Sequence, residues 1–319
     1  MRAHSGRFPG GQGGHDTARR RTALYAALAA LLLGLALVTW ISTDDTGRPG
    51  ARPAATSDRT APDLAGTPGA GAPADTRRPA GHSALVDNPL YATGPLMPLP
   101  CPAPELDVHE PASMKRFLNT MTDCLDDAWG RQFEEAGIPF EPPRRVYWSE
   151  SGSSPCRDYP SAAGAFYCRA VKSVYIGTSD VVEKWGGNER SAVYASLLAH
   201  EYGHHVQGEA GLLEYYHDQR ADEPTRVEQN AWTRKSELQA NCLAGAFLGS
   251  VEVTYPLDED DVDAILDDAA ATADRADAPA EERTHGTAEN SVLWLEHGLE
   301  QQAPGACNTW TVDDESVLR

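Results

Sequence analysis

Residues 200–204 read His-Glu-Tyr-Gly-His, inside the stretch SLLAHEYGHHVQ that spans residues 196–207. Histidines four apart lie on one face of an α-helix, one above the other. Two imidazole nitrogens can then reach a single metal ion. Leu197, Leu198 and Val206 supply an apolar face on which such a helix can be buried, and Gly203 leaves room beside the ion. Glu201 follows the first histidine and reaches the open side of the metal, where it can take a proton from bound water; zinc is the ion that this pattern implies.

A zinc ion that keeps one position for water needs three protein ligands. His205 points about 100° away from His204 around the helix, so it cannot share the ion. It reads as a polar or capping histidine. His217 falls in a polar stretch, YYHDQRADEPTR, and reads as a solvated loop residue. Glu237 is better placed. Its segment, RKSELQANCLAGAF, reads as a helix with Leu238, Ala244 and Phe247 facing inward. An inward carboxylate among small residues needs a partner, and a cation serves. Tyr202 points into the core. His285, in Thr284-His-Gly-Thr287, can donate to the oxyanion of a tetrahedral intermediate or cap the helix that follows.

The chain has 319 residues and a formal net charge of -20, which argues against nucleic acid as a partner. The charge is divided: residues 1–80 carry ten Lys/Arg against six Asp/Glu, the remainder seventeen against forty-one. Within the basic part, Ala23 to Ile41 is a run of nineteen uncharged residues. That is close to the roughly 20 needed to span a bilayer. Arg19, Arg20 and Arg21 precede the run, so the positive-inside rule leaves residues 1–22 in the cytoplasm and sends the C-terminal part out. No small-residue cleavage site follows closely, which favours a retained anchor at 23–42 over a signal peptide. Residues 43–95 are rich in Pro, Ala, Gly, Thr and Asp without apolar periodicity, and read as a disordered linker. The folded domain is then 96–319.

Apolar residues at spacings of three and four from Ser113 predict a helix stopped by Gly137. Strands are predicted at 144–148, 165–167 and 173–176, the last two as a hairpin around Cys168. Ser173 to Ile176 reads either as an edge strand able to receive an extended peptide or as a core strand. Helices are predicted at 191–208 (capped by Asn188 or Ser191), 227–250, 258–276 and 287–301, with Leu293, Trp294 and Gly298 of the last facing inward. The layout is α+β, mostly helical, with a small N-terminal sheet.

HEYGHHVQ, ELQANCLAG, THGTAENSVLWLEHG and ACNTW, in that order, resemble the bacterial neutral zinc metallopeptidases of the zincin superfamily. The resemblance covers about residues 96–311. It implies a membrane-anchored, zincin-like peptidase acting on peptides or proteins. His200, His204 and Glu237 would be zinc ligands and Glu201 the catalytic residue. The chain departs from the family pattern in three places. Asn241 stands where the family has an Asp that orients a ligand histidine. An Arg expected near Ser291 is missing. Residues 169–173 lack the usual Pro and Asp. The first departure motivates a rival expectation, a zinc-binding but catalytically weak scaffold of the cell envelope. Hydrolysis of a non-peptide amide such as a cell-wall bond is a third. All six Cys lie at or beyond Cys101 and read as disulfides of an extracytoplasmic domain. Chain proximity favours Cys101–Cys124 and Cys156–Cys168. Cys242–Cys307 remains and is also suggested by the family's paired motifs.

Overall fold

A computed structural model describes residues 78–160 and 164–319. The basic leader, the apolar run at 23–42 and the linker up to residue 77 lie outside the described residues. Among the described residues, no helix is long and apolar enough to cross a membrane.

The folded body begins before residue 96. Helix α1 (His82–Val86) and the 3-10 turn Pro89–Ala92 bury Ala84, Leu85 and Leu90. The Asn88 side-chain amide is buried and donates to the carbonyls of Ala84 (2.8 Å) and Ala210 (2.9 Å). Residues 82–95, read from composition as linker, are therefore part of the domain. A few apolar anchors were enough to dock a segment whose composition looked disordered.

Helix α2 (Pro111–Ala136) starts with proline at a position that needs no N–H donor and ends where Gly137 takes φ 68°. Phe117, Leu118, Met121, Leu125, Trp129 and Phe133 form its buried stripe. Strands β1 (Arg144–Trp148), β4 (Ala165–Cys168) and β5 (Ser173–Gly177) make a three-stranded sheet in the order β1-β5-β4. The two-residue strands β2 (Gly152–Ser153) and β3 (Asp158–Tyr159) pair separately. β5 runs parallel to β1, with Arg144 opposite Ser173, and antiparallel to β4, with Cys168 opposite Ser173. Ser173–Ile176 is thus the central, fully buried strand. The expectation of an edge strand there is corrected: the edge on that side is β4.

The rest is helical: α3 (Asp180–Lys184), α4 (Ser191–Glu209), α5 (Leu212–Asp222), α6 (Arg226–Val251), α7 (Glu259–Thr272) and α8 (Ala288–Gln301). Thr225 and Asp258 begin α6 and α7 with capping boxes, and Thr287 caps α8. Neither Asn188 nor Ser191 caps α4. Arg190 is its N-cap without a side-chain bond, and the Asn188 side chain instead accepts from the Arg190 N–H. On α8, Trp294 and Gly298 are buried as expected, but Leu293 is 43% exposed. Gly245 on α6 and Gly298 on α8 let these helices meet backbone to backbone, since a Cβ at either would strike a carbonyl of the other helix. The Cys101–Cys124, Cys156–Cys168 and Cys242–Cys307 disulfides are all present, the last tying the C-terminal segment to α6.

Candidate metal centre and adjoining cavity

Helix α4 crosses α6 so closely that a Cβ at Gly203 would lie 3.1 Å from the Ala240 carbonyl oxygen and 3.2 Å from its Cα. Gly203 therefore serves the helix crossing rather than space beside an ion. The crossing brings Glu237 on α6 beneath the two histidines of α4. Glu237 Oε2 lies 3.3 Å from His200 Nε2 and 3.3 Å from His204 Nε2. All three atoms fall within 4.8 Å of one another. Two ligands bound at about 2.0–2.1 Å to a tetrahedral zinc stand about 3.3 Å apart, so the donor set and its spacing suit that ion.

The remaining ring nitrogens are also engaged. His200 Nδ1 is 2.7 Å from Asn241 Oδ1, and His204 Nδ1 is 3.0 Å from Gln207 Oε1. An amide oxygen only accepts, so both Nδ1 atoms carry a proton, and each Nε2 faces Glu237 across the triangle, where it donates when protonated and offers a lone pair to a cation when not. Asn241 thus keeps the orienting bond that the family's acid would make, without its charge. Gln207 was not anticipated from sequence. Its orientation is fixed by donation from Nε2 to the Ser236 carbonyl (2.8 Å) and to Gln239 Oε1 (3.0 Å). Gln239 in turn donates to Tyr91 Oη and the Cys307 carbonyl, and accepts from Trp310 Nε1. HEYGHHVQ, ELQANC and ACNTW are one buried hydrogen-bonded unit. The available signal was a glutamine one helical turn after His204 in an otherwise apolar setting.

The charges of Glu237 and the two histidines are tightly coupled. Burial alone would raise the Glu237 carboxyl, yet the charge of His204 and hydrogen bonds from both histidines hold it well below the usual carboxylate range. Burial would lower His204, but the Glu237 charge and hydrogen bond, with Glu201 and Gln207, raise it. Glu201 is buried and its carboxyl is pushed up, chiefly by desolvation, against the pull of His200 and His204. The backbone N–H of Tyr167, on the edge strand β4, lowers it in part.

A cavity of about 370 Å³ opens beside His200 and Glu201. Lys184, Trp185, Asn241, Asp268, His285 and Ser291 reach it. His285 is half-exposed at the cavity, with Nδ1 2.9 Å from Thr284 Oγ1. It does not cap α8, because Thr287 does.

The sequence profile of the family described as "Putative neutral zinc metallopeptidase" matches residues 105–310. The chain belongs to this family. It is 32% identical over 205 residues to Uncharacterized protein YpfJ of Escherichia coli (strain K12), covering 61% of this chain and 71% of that protein. It is 29% identical over 221 residues to Uncharacterized protein Rv2575 of Mycobacterium tuberculosis, covering 61% and 73%. No solved structure matches.

Among the other histidines of this zinc metallopeptidase family member, two differ from expectation. His205 is fully buried rather than polar or capping. Its Nε2–H donates to the Glu141 carbonyl (2.8 Å) and its Nδ1 accepts from the Tyr167 hydroxyl (3.2 Å). Burial depresses its pKa to about 4. His217 is not in a loop; it lies half-buried on α5 against Tyr216. Tyr202 is buried as expected, with its hydroxyl donating to Asp126 (2.6 Å).

Proposed function

We propose that the chain is a zinc-dependent peptidase, held on the membrane by the apolar segment at 23–42, with its domain on the extracytoplasmic side. The observation that carries the reading is the triangle of His200 Nε2, His204 Nε2 and Glu237 Oε2 beside Glu201 and an open cavity. Three disulfides fit an oxidising compartment.

In this reading His200, His204 and Glu237 hold the ion, and Asn241 and Gln207 hold the two imidazoles. An ion held there would supply a water with a pKa of about 7 and polarise the scissile carbonyl. Glu201 is placed to take a proton from the attacking water and return it to the leaving amine. His285 donates to the oxyanion that develops on the carbonyl. An extended peptide lies along the edge strand β4, whose Ala165 lines the cavity.

The test is hydrolysis of a labelled peptide pool by the purified protein, with and without a chelator, and by Glu201→Gln. Cleavage that needs zinc and is lost in Glu201→Gln, while that variant keeps its zinc, is expected. A zinc-loaded wild type that cleaves nothing would favour the scaffold reading.

A further inference from the structure

The cavity beside the triangle touches His200, Glu201 and Asn241 but neither His204 nor Glu237. These two are bordered instead by α5 and by the turn that follows β4. On α5, Tyr216 and Arg220 are four apart and share one face. Both reach one acceptor on α6, Thr233 Oγ1, which lies 3.3 Å from the Tyr216 hydroxyl and 2.9 Å from Arg220 Nε. Thr233 and Glu237 are also four apart. Arg220 is therefore anchored one helical turn, about 5–6 Å, before the carboxylate of the triangle.

Arg169 approaches from the other wall. It is the first residue after Cys168, at the end of the edge strand β4, and it is exposed. The Tyr167 hydroxyl, 3.2 Å from His205 Nδ1, ties this end of β4 to α4. The charges of Arg169 and Arg220 both act on Tyr216, as does that of Glu237. Burial lowers the His217 pKa to about 4, and the charges of Arg169, Arg220 and His204 push the same way, against Asp218. Two guanidinium groups thus meet on the His204 side of the centre. Among the described residues, Arg220 donates only through Nε, so both of its Nη groups stay available, and Arg169 makes no ion pair. The acids nearby are Glu237, engaged by the two histidines, and Asp218, exposed on α5.

An extended peptide along β4 runs from Ala165 at the cavity to Arg169, about 13 Å away at roughly 3.3 Å per residue. Its far end therefore meets two planar donor forks, which suit a carboxylate. We propose that Arg169 and Arg220 form a carboxylate-binding subsite on the His204 side of the metal centre. The ligand class is a peptide with Asp or Glu at the residue reaching this side, or with its free C-terminal carboxylate placed there. This rests on the peptidase reading above and adds a substrate class to it.

The experiment compares peptides paired as Glu against Gln and Asp against Asn, each with a free or amidated C-terminus, on the zinc-loaded full chain. The acid is moved residue by residue across both sides of the scissile bond. At one position wild type should favour the charged member by about tenfold or more in kcat/KM, as charge-assisted hydrogen bonds discriminate at that level. Arg169→Gln and Arg220→Gln should each lower the ratio, and the double variant should bring it near one. Arg220→Lys, which keeps the charge and loses the fork, should restore part of it. The same pairs are measured as ligands of Glu201→Gln by fluorescence anisotropy, where the charged member should bind tighter in a manner that depends on both arginines. A preference that survives side-chain neutralisation but vanishes on amidation assigns the carboxylate to the C-terminus. Equal rates and equal binding for both members at every position in wild type, or an undiminished ratio in the double variant, overturn the proposal. Absence of all cleavage with the binding preference intact rejects the peptidase reading and leaves the carboxylate subsite standing.

Discussion

Replacing Asn241 by Asp tests how a neutral orienting group tunes this centre. Asn241 Oδ1 lies 2.7 Å from His200 Nδ1. Adding the imidazole and a zinc–nitrogen bond of about 2 Å puts a new charge about 6–7 Å from the ion. A −1/+2 pair at that separation attracts by about 5 kcal/mol at an effective dielectric of about 20, and by about 1 kcal/mol at about 80. Asn241 is half-buried, so desolvating the new carboxylate offsets part of the gain. The expected net is about 1–3 kcal/mol, or about 10–100-fold tighter zinc, in line with measured outer-shell effects. Competition against a chromophoric chelator reads the affinity without reference to turnover. Asn241→Ala, which removes the acceptor, should weaken zinc by a similar factor. If Asn241→Asp binds zinc no tighter and Asn241→Ala binds it no weaker, the His200–Asn241 bond does not govern the centre.

Gln207→Leu removes the acceptor of His204 Nδ1 and leaves buried partners at Ser236 and Gln239 unmatched. Zinc affinity should fall about 10–100-fold, and metal-free denaturation should show a separate loss of about 1–3 kcal/mol. His205 is neutral in the fold with a pKa of about 4, against 6.5 when unfolded. A depressed histidine contributes its full stability above about pH 6.5; that stability drains as pH falls toward 4, by up to about 3 kcal/mol for this shift. Urea midpoints of the metal-free protein between pH 7 and 4 should show that slope, and a His205→Gln variant should flatten it. A fragment starting at residue 78 should fold, whereas one starting at 96 loses buried Leu85 and Leu90, each worth about 1.5–3 kcal/mol. Thermal melts of the two fragments decide this.

The sequence was most legible where a periodic pattern and a chemical requirement coincided. His200, Glu201 and His204 predict a helix and a metal site together, and Glu237 was expected beside them as an acid on an inward helix face; the structure has the helix and brings the three donor atoms together. The Ser173–Ile176 strand was ambiguous, although its continuous apolar character marks a strand covered on both faces. Residues 82–95 were misread because Leu85 and Leu90 are too sparse to lift a Pro- and Ala-rich composition. Gly203 was assigned to the metal when its small size is required by Ala240 on the crossing helix. Gln207 and Arg220 belong to tertiary structure. Gln207 matters through partners on α6, and Arg220 looks like any solvated base on α5 until Thr233, one turn before Glu237, is placed beside it.

The central claim is that three side chains from two crossing helices hold one zinc ion. Anomalous diffraction at the zinc edge, from crystals of the protein purified without chelator, tests it most directly. The account predicts one peak per chain, about 2.0–2.2 Å from His200 Nε2, His204 Nε2 and Glu237 Oε2. No peak in fully ordered density at the triangle, or a peak held by His205 or His217 instead, would contradict it.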